Sequence, residues 1–131
     1  MLRFGVIFLT VVALAGAEDL PLTGITHIAF RVSDLARSRD FYGRVLGFAE
    51  PFEFNDKGKT TVAFVKINDR QYIELYPGLP PGEVTRFGHI CLETPDIETV
   101  RRRLVERGLS PTAVIKARAG NLLCSVKDPD G

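Results

Sequence analysis

The chain of 131 residues contains no tryptophan, one methionine, two cysteines and two histidines, and its formal charges nearly cancel, at +1. Each shortage excludes something. A charge this small, with no basic run except Arg101-Arg102-Arg103 inside a helical pattern, leaves no electrostatic footprint for nucleic acid. No apolar run reaches the roughly 20 residues a membrane span needs; the longest extends from Phe4 to Leu14. There are no low-complexity tracts and no sustained heptads, so neither disorder nor a coiled coil is expected. What remains is 45% hydrophobic and 25% charged, with nine phenylalanines, which fits one globular domain able to bury a real core.

The first seventeen residues read as a leader. Met1-Leu2-Arg3 supplies a positive start, Phe4 to Leu14 an apolar stretch, and Ala15-Gly16-Ala17 the small-x-small pattern before a cut, ahead of Glu18-Asp19. The expectation is a signal peptide over 1–17, cleaved after Ala17, and a secreted or periplasmic product with no membrane attachment after cleavage. An uncleaved anchor or a buried first element are the competing readings.

The two histidines occur in matching places. Thr26-His27-Ile28-Ala29-Phe30 and Gly88-His89-Ile90-Cys91-Leu92 are similar strand openings, and 89 − 27 = 62 residues separate them. The chain divides accordingly. Module 1, about 22–76, reads as a strand (25–32), a helix (34–46), and strands near 48–55, 60–67 and 71–76. Ser33 or Asp34 caps that helix and Gly47 ends it. A Pro- and Gly-rich linker covers 77–87, and module 2 begins at 88 with a strand to Glu93. Its helix has Thr94 as N-cap, Pro95 at the first position and Gly108 as terminator, before strands near 112–118 and 122–127.

Strand alternation sorts the side chains by face. His27, Ala29 and Arg31 oppose Ile28, Phe30 and Val32, and His89, Cys91 and Glu93 oppose Ile90 and Leu92. The apolar faces belong under the helices, whose stripes are Leu35, Phe41, Val45 and Leu46 on the first and Ile97, Val100 and Leu104 on the second. Both histidines then project from the other face. Glu74 joins them there between Tyr72 and Tyr76, because Ile73 and Leu75 turn toward the helix.

The run Asp34-Leu35-Ala36-Arg37-Ser38-Arg39-Asp40-Phe41-Tyr42-Gly43-Arg44-Val45-Leu46-Gly47-Phe48 after a histidine-bearing strand, and the closing Asp128-Pro129-Asp130-Gly131, resemble the glyoxalase/bleomycin resistance/extradiol dioxygenase superfamily, the vicinal oxygen chelate (VOC) proteins. That resemblance implies an α+β fold of tandem βαβββ modules whose mixed sheet curls into an open, cupped barrel. It also implies a divalent metal (Zn, Ni, Co, Mn or Fe) on the concave side. Carried over by position, His27 and His89 match the first-strand ligands and Glu74 the last-strand ligand of module 1. Alignment of the halves puts the fourth ligand about four residues beyond Gly131, in a last strand of module 2 that this chain does not include.

Two imidazoles and one or two carboxylates suit a borderline-hard divalent ion with positions open for substrate oxygens. The ligand order resembles glyoxalase I, which implies a lyase or isomerase acting on a small oxygenated substrate, with Glu74 as ligand and catalytic base. Glyoxalase I acts on an adduct of glutathione, chiefly a cytosolic thiol, and this sits awkwardly with a leader. The alternatives are a bleomycin-resistance-type binding protein without metal and an extradiol ring-cleaving dioxygenase; Glu74 argues mildly against the latter, which resembles two histidines plus a final glutamate only. Arg31, Tyr72, Tyr76 and Cys91 are candidate substrate-pocket residues, with strand-end solvation or packing as the plainer reading of each. Cys91 and Cys124 are expected as free thiols, since the superfamily's sheet would hold them about 10 Å apart, beyond the roughly 7 Å bridging limit. A homodimer is a possible assembly.

Overall fold

The computed structural model describes residues 18–131, so the leader expectation for 1–17 lies outside the described residues. Strand β1 (Gly24–Val32) is followed by helix α1 (Leu35–Arg39), which widens directly into a π-helical stretch (Asp40–Val45). Strands β2 (Ala49–Asp56), β3 (Lys59–Lys66) and β4 (Tyr72–Pro77) complete a βαβββ unit. The order then restarts with β5 (Phe87–Glu93), α2 (Ile97–Glu106) and two short strands, β6 (Ile115–Lys116) and β7 (Leu122–Leu123). The main sheet runs β2-β3-β4-β1-β5. Within it β1 is parallel to β4 and antiparallel to β5, and the second of these pairings joins the two halves.

The helix after β1 begins as the sequence suggests and then departs from it. The Asp34 carboxylate accepts a bond from the Arg37 amide at 3.0 Å, and Gly47 closes the end at a φ of 78°, a left-handed conformation that favours glycine. Between them the amide of Leu46 reaches back five residues to the Phe41 carbonyl at 3.0 Å. This wider turn breaks the 3.6-residue period on which the expected stripe depended. Leu35 and Tyr42 pack against the sheet, whereas Phe41, Val45 and Leu46 are exposed.

The second helix also starts later than expected. Asp96 is its cap, accepting from the Thr99 amide at 3.0 Å. The Thr94 hydroxyl instead donates to the Pro21 carbonyl at 2.7 Å, so it ties the N-terminal segment to the end of β5. Arg103 of α2 and Arg107, just past its end, extend that tie by bonding to Glu18 and Asp19. Gly108 ends the helix at a φ of 82°, as expected.

Val32, Ala63, Val65 and Leu75 form the core between sheet and first helix, with Leu35, Tyr42, Phe48 and Ile73 against it. Val100 and Leu104 are buried on α2, but Ile90 and Leu92, expected beneath it, are about half exposed. Strands β6 and β7 are shorter than the spans read from sequence. They pair only with each other, and a two-stranded ribbon without a further neighbour holds few ladder bonds. Their turn reaches back to the first half: Arg118 donates to the Asn55 carbonyl at 2.7 Å, its guanidinium 4.5 Å above the Phe54 ring. No helix among the described residues is long and apolar enough to cross a membrane.

Leu75 is fully buried at the centre of this core. Truncation in Leu75→Ala should therefore cost about 2–5 kcal/mol of stability, measured as a lower denaturant midpoint; an unchanged midpoint would place the core elsewhere.

Candidate metal centre

The site is built on three neighbouring strands. Across β1 and β5, His27 pairs with Cys91 and Ala29 with His89; across β1 and β4, His27 pairs with Tyr72 and Ala29 with Glu74. Paired residues share a face, so Glu74, Ala29 and His89 form one row and Tyr72, His27 and Cys91 the next. Ala29 is fully buried and carries only a methyl group, which leaves room above it for the longer side chains of Glu74, His27 and His89. The close approach of β5 depends on Gly88, whose side chain, were there one, would begin 3.2 Å from the Ala29 carbonyl oxygen and 3.4 Å from the Ala29 methyl group.

The three expected ligands come together. Nε2 of His27 lies 3.0 Å from Nε2 of His89 and 3.5 Å from Oε1 of Glu74, and Nε2 of His89 lies 3.7 Å from Oε2 of Glu74. One donor atom from each falls within 4.8 Å of the others, the arrangement of possible metal ligands. Ligands about 2.1 Å from an ion stand roughly 3.0 Å apart at octahedral edges and about 3.4 Å apart at tetrahedral ones. The spacing and the two-imidazole, one-carboxylate donor set thus fit a divalent ion.

Local contacts prepare these groups. Glu74 is 6% exposed, a buried acid between Tyr72 and Tyr76 on its strand face. The Tyr76 hydroxyl donates to its Oε2 at 2.9 Å. Burial and then the adjoining Glu74 raise the Tyr76 phenol above its usual range, which keeps it a donor. On His27, burial lowers the imidazole below its ordinary value, with Glu74 opposing and His89 assisting. The Thr26 hydroxyl donates to the Cys91 carbonyl at 3.3 Å and lies 3.4 Å from Nδ1 of His27. A His27 tautomer with the proton on Nδ1 would donate to Thr26 and leave the Nε2 lone pair free toward the cluster. His89 is half exposed, so the cluster opens to solvent on its side.

The expected pocket residues divide. Tyr76 touches the centre directly, and Tyr72 belongs to an aromatic wall beside it. In that wall Phe64 lies opposite Glu74 on β3, Phe52 stacks on Phe64 with centroids 4.3 Å apart, and Tyr72 lies 6.1 Å from Phe52. Arg31 stays on the outer edge of the same face, where it donates to the Gly78 carbonyl at 3.2 Å. Cys91 shares the face but is outside the group of possible ligands; both cysteines are free thiols, partly rather than fully buried. Sequence reasoning missed Phe64, the spacer Ala29 and the Arg118 contact. Ala29 alternates with His27 and was readable, but the other two depend on strand register and a long-range return of the chain.

A cupped, mixed sheet assembled from repeated units, with His27, His89 and Glu74 meeting across the junction, defines a class of paired-module α+β proteins. The family model for the Glyoxalase/Bleomycin resistance protein/Dioxygenase superfamily matches residues 24–131, and the chain belongs to that superfamily. Comparison with curated proteins gives no match. Among solved structures, methylmalonyl-CoA epimerase from Mycobacterium tuberculosis is similar in fold, with a TM-score of 0.65 and 18% identity over 82% of this chain and 80% of that one. A Streptomyces coelicolor methylmalonyl-CoA epimerase variant in complex with 2-nitronate-propionyl-CoA gives 0.64 at 20% identity, covering 81% of this chain and 88% of that one. A hypothetical protein from Bacillus halodurans gives 0.62 at 18% identity, covering 79% and 83%.

The lowered His27 value carries a pH consequence. An unfolded chain takes up this proton near the ordinary value of 6.5, before the folded one does, so stability should fall as pH drops below about 6.5. Denaturant midpoints of the metal-free protein should decline between pH 7 and 5, and His27→Gln should flatten that decline; equal slopes in both proteins would contradict the assignment.

Proposed function

We propose that this protein is a metal-dependent enzyme of the lyase or isomerase type, acting on a small oxygenated molecule bound through the metal, at a carbon next to a carbonyl. The observation that carries the reading is the convergence of His27, His89 and the buried Glu74 on one point of the cupped face. His27, His89 and Glu74 would hold a divalent ion, which supplies Lewis-acid polarisation of a substrate oxygen. The remaining work falls to the chain. Glu74 is the one acid in the cluster, and the oxygen not held by Tyr76 would, when released from the ion, take or return the proton at the carbon beside the substrate oxygen. Phe52, Phe54 and Phe64 form an apolar wall for the apolar part of the substrate. The half-exposed side at His89 provides the way in.

Two relatives of similar fold bear the name epimerase, a reaction in which a proton leaves and returns at one carbon, and this supports the class without naming the substrate. Phe52, 42% exposed in the aromatic wall against Phe64 and Tyr72, favours a second reading, a small-molecule binding protein of the bleomycin-resistance type. Metal dependence separates the two. The full-length protein should bind one equivalent of divalent metal by elemental analysis, and His27→Ala and His89→Ala should each lower the affinity by about tenfold or more. Metal-loaded protein should also exchange solvent deuterium into an α-proton of a carbonyl substrate, and Glu74→Gln should not. Ligand binding with no metal and no exchange would favour the second reading.

We further propose export, on the strength of the leader pattern in 1–17. The residues after the expected cut, Glu18 and Asp19, are held by Arg103 and Arg107, so a mature chain beginning there retains its N-terminal tie. N-terminal sequencing of the protein from a secreting host should begin at Glu18; an exported or retained product still starting at Met1 would contradict the cut.

A further inference from the structure

We propose that Tyr76 is a positioning residue of the metal centre, its hydroxyl fixing one oxygen of Glu74 so that the other is presented to the ion. The inference rests on the metal reading above and adds a residue to it. Tyr76 follows Glu74 by two positions on β4, and alternation sends both side chains to the same face. Its hydroxyl donates to Oε2 at 2.9 Å, while Oε1 lies 3.5 Å from Nε2 of His27.

Among the described residues, this is the single side-chain hydrogen bond that Glu74 receives. The terminal torsion of a glutamate is broad and nearly two-fold, so a carboxylate without such a partner exchanges its oxygens freely. With Oε2 engaged, the carboxylate plane is set and one oxygen is left for coordination. The same ring braces a second donor. Tyr76 and His89 meet edge to face, their centroids 6.2 Å apart at 68°. One side chain therefore touches two of the three donors from opposite ends, its hydroxyl on the carboxylate and its ring on the imidazole. Outer partners of this kind orient metal ligands, and their loss typically weakens metal affinity by about 10- to 100-fold.

Tyr76→Phe keeps the ring and removes only the hydroxyl, so it isolates the hydrogen bond. Co²⁺ is the probe, because its visible absorption reports ligand geometry. In full-length protein the variant should bind Co²⁺ about 10- to 100-fold more weakly, with shifted absorption bands, while the melting temperature of the metal-free protein stays near that of the parent. Affinity and spectrum equal to the parent's would overturn the positioning role. A large fall in metal-free melting temperature with an unshifted Co²⁺ spectrum would also overturn it, showing Tyr76 to be a packing residue. Absence of Co²⁺ binding in the parent itself would sink the metal reading and this inference together, an outcome distinct from the first two.

Discussion

The pairing of β1 with β5 is the contact on which the rest depends. It is the sheet junction between the two halves, and its register sets His89 beside Ala29 and two residues diagonally from His27. Period-2 alternation makes this register unforgiving, since a slip of one residue would turn His89, Cys91 and Glu93 to the other face. Gly88 permits the register by letting β5 approach the Ala29 backbone closely. Thr23 and Thr94 reinforce the same junction through bonds to Glu93 and Pro21.

Holding an acid and two imidazoles together in partly dry surroundings costs free energy that the core must supply. The first helix and the strands beneath it provide that support on the opposite face of the same strands. Ile73 and Leu75 flank Glu74 on β4 and pack into the core, so burial of the apolar neighbours fixes the strand that presents the acid. The polar face then satisfies itself: Tyr76 donates to Glu74, the Thr26 hydroxyl lies against Nδ1 of His27, and the two imidazoles share a bond through Nε2. The cluster is thus nearly self-satisfied and open on the His89 side.

Much of this was legible in the sequence, for local reasons. The repeated histidine strands, the Asp34 cap, the Gly47 and Gly108 terminators, and the alternation that separates Glu74 from Ile73 and Leu75 are all short-range signals, and the structure follows them. The misreadings arose where a distant contact or an irregular turn overrode a local pattern. A π-helical widening after Arg39 put Tyr42 rather than Phe41 on the sheet, and Thr94 gave up capping because a carbonyl from Pro21 was within reach. Ile90 and Leu92 have the right alternation for burial, but burial also needs a partner surface, and α2 covers them incompletely. The grouping of His27, His89 and Glu74 was legible because the histidines stand at repeat spacing and the family resemblance pointed to Glu74. Phe64 and Arg118 were not, because they enter through strand register and chain return.

The central claim is that imidazoles from both halves and the acid between them bind one ion. X-ray absorption at the metal edge of the zinc-loaded full-length protein tests it most directly. The account predicts a first shell containing two imidazole nitrogens and carboxylate oxygen, with one imidazole lost in His89→Ala. A shell with no imidazole, or one unchanged by that substitution, would contradict it.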